Sequence, residues 1–136
     1  MPLSHQVLIT MATDGYFGSV GRHDIAAVMA PFSEDAVMTA VAQAIHYEGK
    51  QAIKAHFTEF LETYPRIDVR ILHAMADDVN QAASVHFEIE MENTAGAVQL
   101  MRNANHFHFN AKGEIAQVHI FMTGTPGAGF TAGNNA

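Results

Sequence analysis

The sequence predicts an α+β domain in which three N-terminal helices lie over the concave face of a curved antiparallel sheet. Two periodicities and one joint lead to that class. Before Pro65 the apolar residues recur mainly at helical spacing, and after it they alternate with period 2. The joint is residues 45–63, IHYEGKQAIKAHFTEFLET. It is a short extended run, a turn at Gly49, and an amphipathic helix whose Ile53, Phe57, Phe60 and Leu61 share one face. Helices segregated to one side of a sheet bury both apolar faces. Strong curvature of that sheet leaves a conical cavity, a common kind of ligand site.

The elements follow in order. Residues 4–20 read as the first helix, with Ser4 as N-cap and Leu8, Ala12 and Tyr16 in line. Gly15 and Gly18 weaken its end or allow a bend there. Residues 21–24 break the helix, Asp24 or His23 opens a second one with Ile25, Val28 and Met29 inward, and Pro31 ends it. Phe32–Asp35 is expected as a polar corner, and residues 36–41 and 44–48 as a small hairpin. The third helix runs over residues 50–64. Four strands complete the chain, over residues 66–75, 84–92, 97–109 and 114–122, with turns at 77–80, 93–96 and 110–113. The clearest alternation sets Val85, Phe87, Ile89 and Met91 against Ser84, His86, Glu88, Glu90 and Glu92. Residues 1–123 are expected to form the domain, and residues 124–136, rich in Gly, Ala, Thr and Asn, a flexible tail.

Composition narrows the function. The formal net charge is −7 with 7 Lys and Arg, so a nucleic-acid groove, which needs a basic stripe, and an anionic membrane surface are both disfavoured. No Cys is present, which removes disulfides, thiolate metal sites and Cys nucleophiles and fits a cytoplasmic setting. The N-terminal residues lack the basic region of a signal peptide, and no apolar run is long enough to span a bilayer. The serines sit in no nucleophile elbow, and the Gly-rich residues near 124 precede no helix, so no phosphate loop is expected.

Turn geometry assigns the strand faces. If Asn110 and Gly113 close the last hairpin, Phe107 faces Ala116, Asn105 faces Val118, Asn103 faces Ile120 and Met101 faces Met122. This apolar face, with two amides set in it, is taken as the cavity side. The other face holds His108/Ile115, His106/Gln117, Ala104/His119 and Arg102/Phe121. The cavity inventory is then Tyr16, Phe57, Phe60, Val85, Phe87, Met91, Met101, Phe107, Val118, Ile120 and Met122, with Asn103 and Asn105 as polar handles. Met-rich walls adapt to varied apolar shapes. A phenol and an amide among them would orient a carbonyl or hydroxyl oxygen. For most of these aromatic and Met residues the plainer reading is ordinary core. Tyr16 and Asn105 stand apart because buried polar groups need partners.

Four segments carry a resemblance: residues 16–24 (Tyr-Phe-Gly-Ser-Val-Gly-Arg-His-Asp), 29–36 (Met-Ala-Pro-Phe-Ser-Glu-Asp-Ala), 47–53 (Tyr-Glu-Gly-Lys-Gln-Ala-Ile) and 105–109 (Asn-His-Phe-His-Phe). In this order the chain resembles a SnoaL-like member of the nuclear transport factor 2-like superfamily, which includes ketosteroid isomerases and polyketide cyclases. The resemblance spans about residues 5–122. It implies a cone-shaped α+β barrel, usually homodimeric, with a pocket for a small hydrophobic molecule and no cofactor. It places the isomerase tyrosine at Tyr16 and the acid of the long strand at Asn105, which can still donate a hydrogen bond to an oxyanion. The isomerase base falls on Ala40, which takes no proton, so the usual ketosteroid isomerase mechanism is not expected. A replacement base would come from His46, His73 or Glu88. His73 shares parity with Ile67, Val69 and Ile71 and is expected to point inward.

Nine His are many for 136 residues. His106, His108, His119 and His86 fall on one outer sheet face, where two or three could bind Zn²⁺ or Ni²⁺. No carboxylate completes the set, so a polar face, packed in a dimer, is the simpler reading and no metal is assigned. His5, His23 and His56 read as surface or capping residues. Two functional classes remain: an isomerase-, cyclase- or dehydratase-type enzyme acting on a carbonyl compound through Tyr16 and Asn105 with His73 or His46 moving the proton, or a non-catalytic binding or interaction module with the same fold.

Overall fold

The chain opens as one helical rod with three windings. α1 (His5–Thr10) passes into a π-helical stretch (Met11–Gly18) and then α2 (Ser19–Gly21), with right-handed helical backbone at both junctions. These come from a computed structural model, which describes residues 2–123. The tail expected over residues 124–136 lies outside the described residues. Ser4 caps α1 as expected, its Oγ accepting from the Val7 N–H at 3.2 Å, a contact worth about 1 kcal/mol. The Thr13 and Ser19 hydroxyls donate to the carbonyls of Ile9 and Gly15, four residues back, each at 2.7 Å, a pattern that loosens helices. The wider π turn turns two adjacent aromatics, Tyr16 and Phe17, inward together. α3 (Ile25–Met29) is capped by Asp24, whose Oδ1 accepts from the Ala27 N–H at 3.1 Å.

β1 (Phe32–Ala40) begins earlier than expected. Phe32 and Ser33, assigned to a polar corner, are buried at its start. The reason is a partner distant in sequence: Phe32 pairs with Ile115, and the Ile115 N–H donates to the Pro31 carbonyl at 2.8 Å. An irregularity between Phe32 and Val37 leaves Glu34 and Asp35 facing solvent. β2 (Ile45–Glu48) pairs back on β1, and Gly49, at φ +92°, turns the chain into α4 (Lys50–Thr63).

β3 (Arg66–Asp77), β4 (Ala82–Glu92), β5 (Val98–Phe109) and β6 (Ile115–Phe121) complete a six-stranded sheet in the order β2-β1-β6-β5-β4-β3. All pairings are antiparallel except β1 with β6, which is parallel. The sheet is therefore mixed where it was expected wholly antiparallel. The long excursion from β1 through the other strands makes the parallel return possible.

Two bulges decide which side chains face the helices. In β3, Ile71 pairs with Phe87 but His73 with His86, so Leu72 is an extra residue. Beyond it Leu72, Ala74 and Ala76 turn inward and His73 turns to solvent, which overturns the inward placement of His73. In β6, His108 pairs with Gln117 but Phe109 with Ile115, so Ala116 is the extra residue. The last hairpin closes on Asn110 and Glu114, with the Asn110 N–H donating to the Glu114 carbonyl at 2.9 Å. As a result Asn105 faces Ile120, and Phe107 faces Val118. The register is shifted by two from the expected one, which preserves the faces assigned to β5. Ile115, expected outside, is fully buried beside Phe32.

Candidate functional site

A cavity of ≈ 330 Å³ lies between the helical rod, α4, β2 and the concave sheet. Its walls include Phe17, Met38, Phe57, Phe60, Phe87 and Met101, with Ile89, Met91, Ile120 and Met122 continuing the apolar surface. Of the expected ligand-binding residues, Phe57, Phe60, Phe87, Met91, Met101, Asn103, Ile120 and Met122 line this cavity. Phe107 and Val118 do not. Both are completely buried, packed behind the wall as core, and so is Val85.

Tyr16 and Asn105 are brought together at the cavity wall. The rod supplies the phenol, and β5 supplies the amide from its inward face. Tyr16 is enclosed by aromatic edges: Phe17 at 4.7 Å, Phe107 at 5.0 Å and Phe57 at 5.8 Å between ring centroids. Burial pushes its hydroxyl well above the ordinary tyrosine value, while a side-chain hydrogen bond from Asn105 pulls the other way. The phenol therefore keeps its proton and remains a donor. Asn105 is 2% exposed, and its Oδ1 has no hydrogen-bond partner among the described residues. An orphan acceptor of this kind costs ~1–3 kcal/mol unless something pairs with it. Asn103 is already engaged, its Oδ1 accepting from the Thr123 N–H at 3.2 Å.

The expected proton-moving residues are elsewhere. His46 points away from Ile45 and Tyr47, which line the cavity, and makes an exposed contact with Glu48 at 3.1 Å. His73 and His86 face solvent as a cross-strand pair. Glu88 lies between Arg70 and Arg102 on the outer face, where the two guanidiniums hold its carboxyl below the usual range. Ala40 is fully buried on the same strand face as Met38. Among the described lining residues the one carboxylate is Glu59, exposed at the rim of α4.

His56 is a lining residue that sequence reasoning assigned to the surface. Its ring stacks on Tyr47 at 4.8 Å and 27°, and on Phe60 at 6.1 Å and 22°. Burial lowers its pKa, and the Glu59 carboxylate one turn on works against that. The signal was present, because His56 stands one helical turn before Phe60, beside the apolar stripe. Phe17 left no such signal, since only the π winding turns it inward with Tyr16. Tyr47, Ile45 and Met38 reach the cavity through the β1–β2 hairpin register, and Tyr64 from the end of α4.

On the outer sheet face, His106 lies directly opposite His119. His106 Nδ1 meets Ser84 Oγ at 2.5 Å, and His119 Nδ1 meets Thr39 Oγ1 at 2.7 Å. These nitrogens are occupied, and no group of three metal-ligating side chains forms among the described residues.

No curated protein sequence matches the chain. Among solved structures, the epoxide hydrolase/cyclase-like enzyme SalBIII, of pyran ring formation in the polyether salinomycin, superposes with a TM-score of 0.76 at 20% identity, covering 86% of this chain and 91% of that one. An LEH-like epoxide hydrolase of M. tuberculosis gives 0.74 at 14% identity, covering 87% and 84%. RV0760c of the same organism, solved with estradiol-17β-hemisuccinate, gives 0.72 at 18% identity, covering 86% and 98%. At these identities the likeness is one of fold. A family model described as the SnoaL-like domain matches residues 13–118, most of the described chain, and the protein belongs to that family.

Proposed function

We propose that the cavity binds a flat, largely apolar small molecule by its carbonyl or hydroxyl oxygen at Tyr16 and Asn105, and that the protein is an isomerase-, cyclase- or dehydratase-type enzyme. The observation that carries this is the unpaired Asn105 Oδ1, an acceptor for a ligand hydroxyl, buried beside a phenol that keeps its proton and can donate to a ligand oxygen, in a largely apolar wall rich in Met and aromatic side chains. The apolar wall supplies affinity and the polar pair supplies orientation. The steroid ester held by RV0760c and the cyclase-like role of SalBIII show what this fold accommodates in those proteins.

The test compares 2-naphthol with naphthalene, which has the same shape and no oxygen. Calorimetry is expected to give tighter binding of 2-naphthol by about 5- to 10-fold, the worth of one good hydrogen bond. Tyr16→Phe and Asn105→Ala should each erase most of that preference while the variants melt as folded proteins. Equal binding of the two compounds by the parent protein would sink the proposal.

A second reading, a binding protein without catalysis, is favoured by Ala40, where the resemblance would place a carboxylate base and a packed methyl group stands instead. It expects ligand-induced stabilisation with no product from any carbonyl compound on long incubation. We also infer a homodimer joined through the outer sheet face, where Phe121 and Leu100 are exposed. Sedimentation should give a dimer that Phe121→Glu dissociates, and a monomeric parent protein would refute it. No helix among the described residues is long and apolar enough to cross a membrane, and the Cys-free chain fits the cytoplasm.

A further inference from the structure

The oxygen site has an electrophilic end, and Ala40 offers no carboxylate to take a proton, so a base must stand elsewhere on the cavity wall. Tyr16, Tyr47 and Tyr64 are phenols, and burial raises both Tyr16 and Tyr64, so those two hold their protons. Glu59 sits at the exposed rim. Among the imidazoles and carboxylates of the wall, that leaves His56. Its imidazole stacks on Tyr47 of β2 and lies nearly parallel to Phe60 of α4. Neither ring nitrogen has a hydrogen-bond partner among the described residues, in contrast to the Nδ1 atoms of His106 and His119.

We propose that His56 is the general base of the cavity, removing a proton from the carbon next to a ligand carbonyl whose oxygen rests on Tyr16 and Asn105. This rests on the reading given under Proposed function and adds to it the reacting group and the substrate class, carbonyl compounds with an acidic α C–H. Phe57 spans the two ends, its ring 5.2 Å from His56 and 5.8 Å from Tyr16 between centroids. The imidazole and the phenol therefore stand within the length of a small multi-ring molecule. In the step, the α C–H bond breaks and its proton passes to the free imidazole nitrogen. The C–H electron pair becomes the carbon–carbon double bond of an enolate, and the carbonyl π pair moves to the oxygen, where the Tyr16 O–H donates to it and the Asn105 side-chain N–H, bonded to the phenol oxygen, strengthens that donor. Return of the proton to the same or a conjugated carbon closes an exchange or an isomerisation without any co-reactant.

The groups facing His56 set its titration. Glu59 on the same helix favours the imidazolium, the Tyr16 phenol across the cavity is neutral, the Tyr47 ring stacks on the imidazole, and burial outweighs Glu59. The imidazole is thus free to accept a proton near neutral pH. The two long-range alternatives, His46 and His73, are outside the cavity and serve as controls.

The experiment follows deuterium exchange at the C1 position of 2-tetralone, a bicyclic ketone, by NMR in D₂O, alongside calorimetric binding of 2-naphthol. The parent protein should accelerate exchange over buffer, with a rate that falls as pH drops through an imidazole titration lying below 6.5. His56→Gln should lower the rate about 100-fold and abolish that pH dependence, while 2-naphthol affinity changes less than about threefold. His46→Gln and His73→Gln should exchange at the parent rate. If His56→Gln exchanges as fast as the parent, or the parent binds 2-naphthol through Tyr16 and Asn105 yet exchanges no faster than buffer, the base assignment is overturned and the binding reading stands. If 2-naphthol binding needs neither Tyr16 nor Asn105, the oxygen site fails, and the base assignment fails with it.

Discussion

Asn105 and Tyr16 show how a single buried pair makes a site out of a core. Each is nearly fully enclosed, and each carries a polar group that an apolar wall would not keep without use. Both were identifiable from the sequence, since an amide alternating with Phe and Met on a strand contradicts its neighbours. His56 was not identified, although its place beside Phe60 was readable. Tyr16 also predicts an alkaline limit. Its folded pKa lies above the ordinary 10.0, so folding favours the neutral phenol. That contribution is complete below pH 10.0 and is lost as pH rises beyond it. Thermal melts at increasing alkaline pH should show stability falling above the ordinary tyrosine value. Tyr16→Phe should fall less steeply, and a parallel decline in both proteins would contradict this cause.

At the scale of elements, small departures from regular geometry aim the side chains. The π stretch in the first rod presents Tyr16 and Phe17 to the cavity together. Leu72 in β3 flips the strand parity and sends His73 outward, and Ala116 in β6 turns Ile115 into the core. None of the three follows from residue type, because each depends on how one element meets another. Gly49 is the exception that residue type did announce. It sits at φ +92° and ψ 150°, in a region essentially closed to other residues, and its N–H donates to the Ala36 carbonyl at 2.7 Å. A Cβ there would meet only the Glu34 carbonyl oxygen, at 3.9 Å, an ordinary van der Waals contact, so the cost of a side chain is backbone strain. Gly49→Ala should lose about 1–3 kcal/mol in denaturant unfolding. An unchanged midpoint would show that the β2–α4 turn relaxes freely.

For the molecule as a whole, the histidines make acid a stress. Burial lowers the pKa of His56, His106 and His119, and at His106 and His119 the neighbouring imidazoles add to it. Folding then favours their neutral forms. The associated stability is complete above the ordinary imidazole value of 6.5 and is lost as pH falls through the lower folded values. The melting temperature should therefore drop as pH falls below 6.5, before most carboxylates titrate. Replacing His106 and His119 together by Gln should flatten that decline. A melting temperature constant down to about pH 5 would refute the assignment.

Periodicity, turn residues and composition alone determined the α+β class, the order of the elements and the inward face of β5 that carries Asn103 and Asn105. Those features are local, set by side-chain spacing and by the few residues that permit a turn. Tertiary structure alone decided the parallel contact of β1 with β6, the burial of Phe32 and Ile115, the outward turn of His73 and the place of His56 in the wall. Each depends on register between segments distant in sequence, where one extra residue in a strand exchanges its two faces.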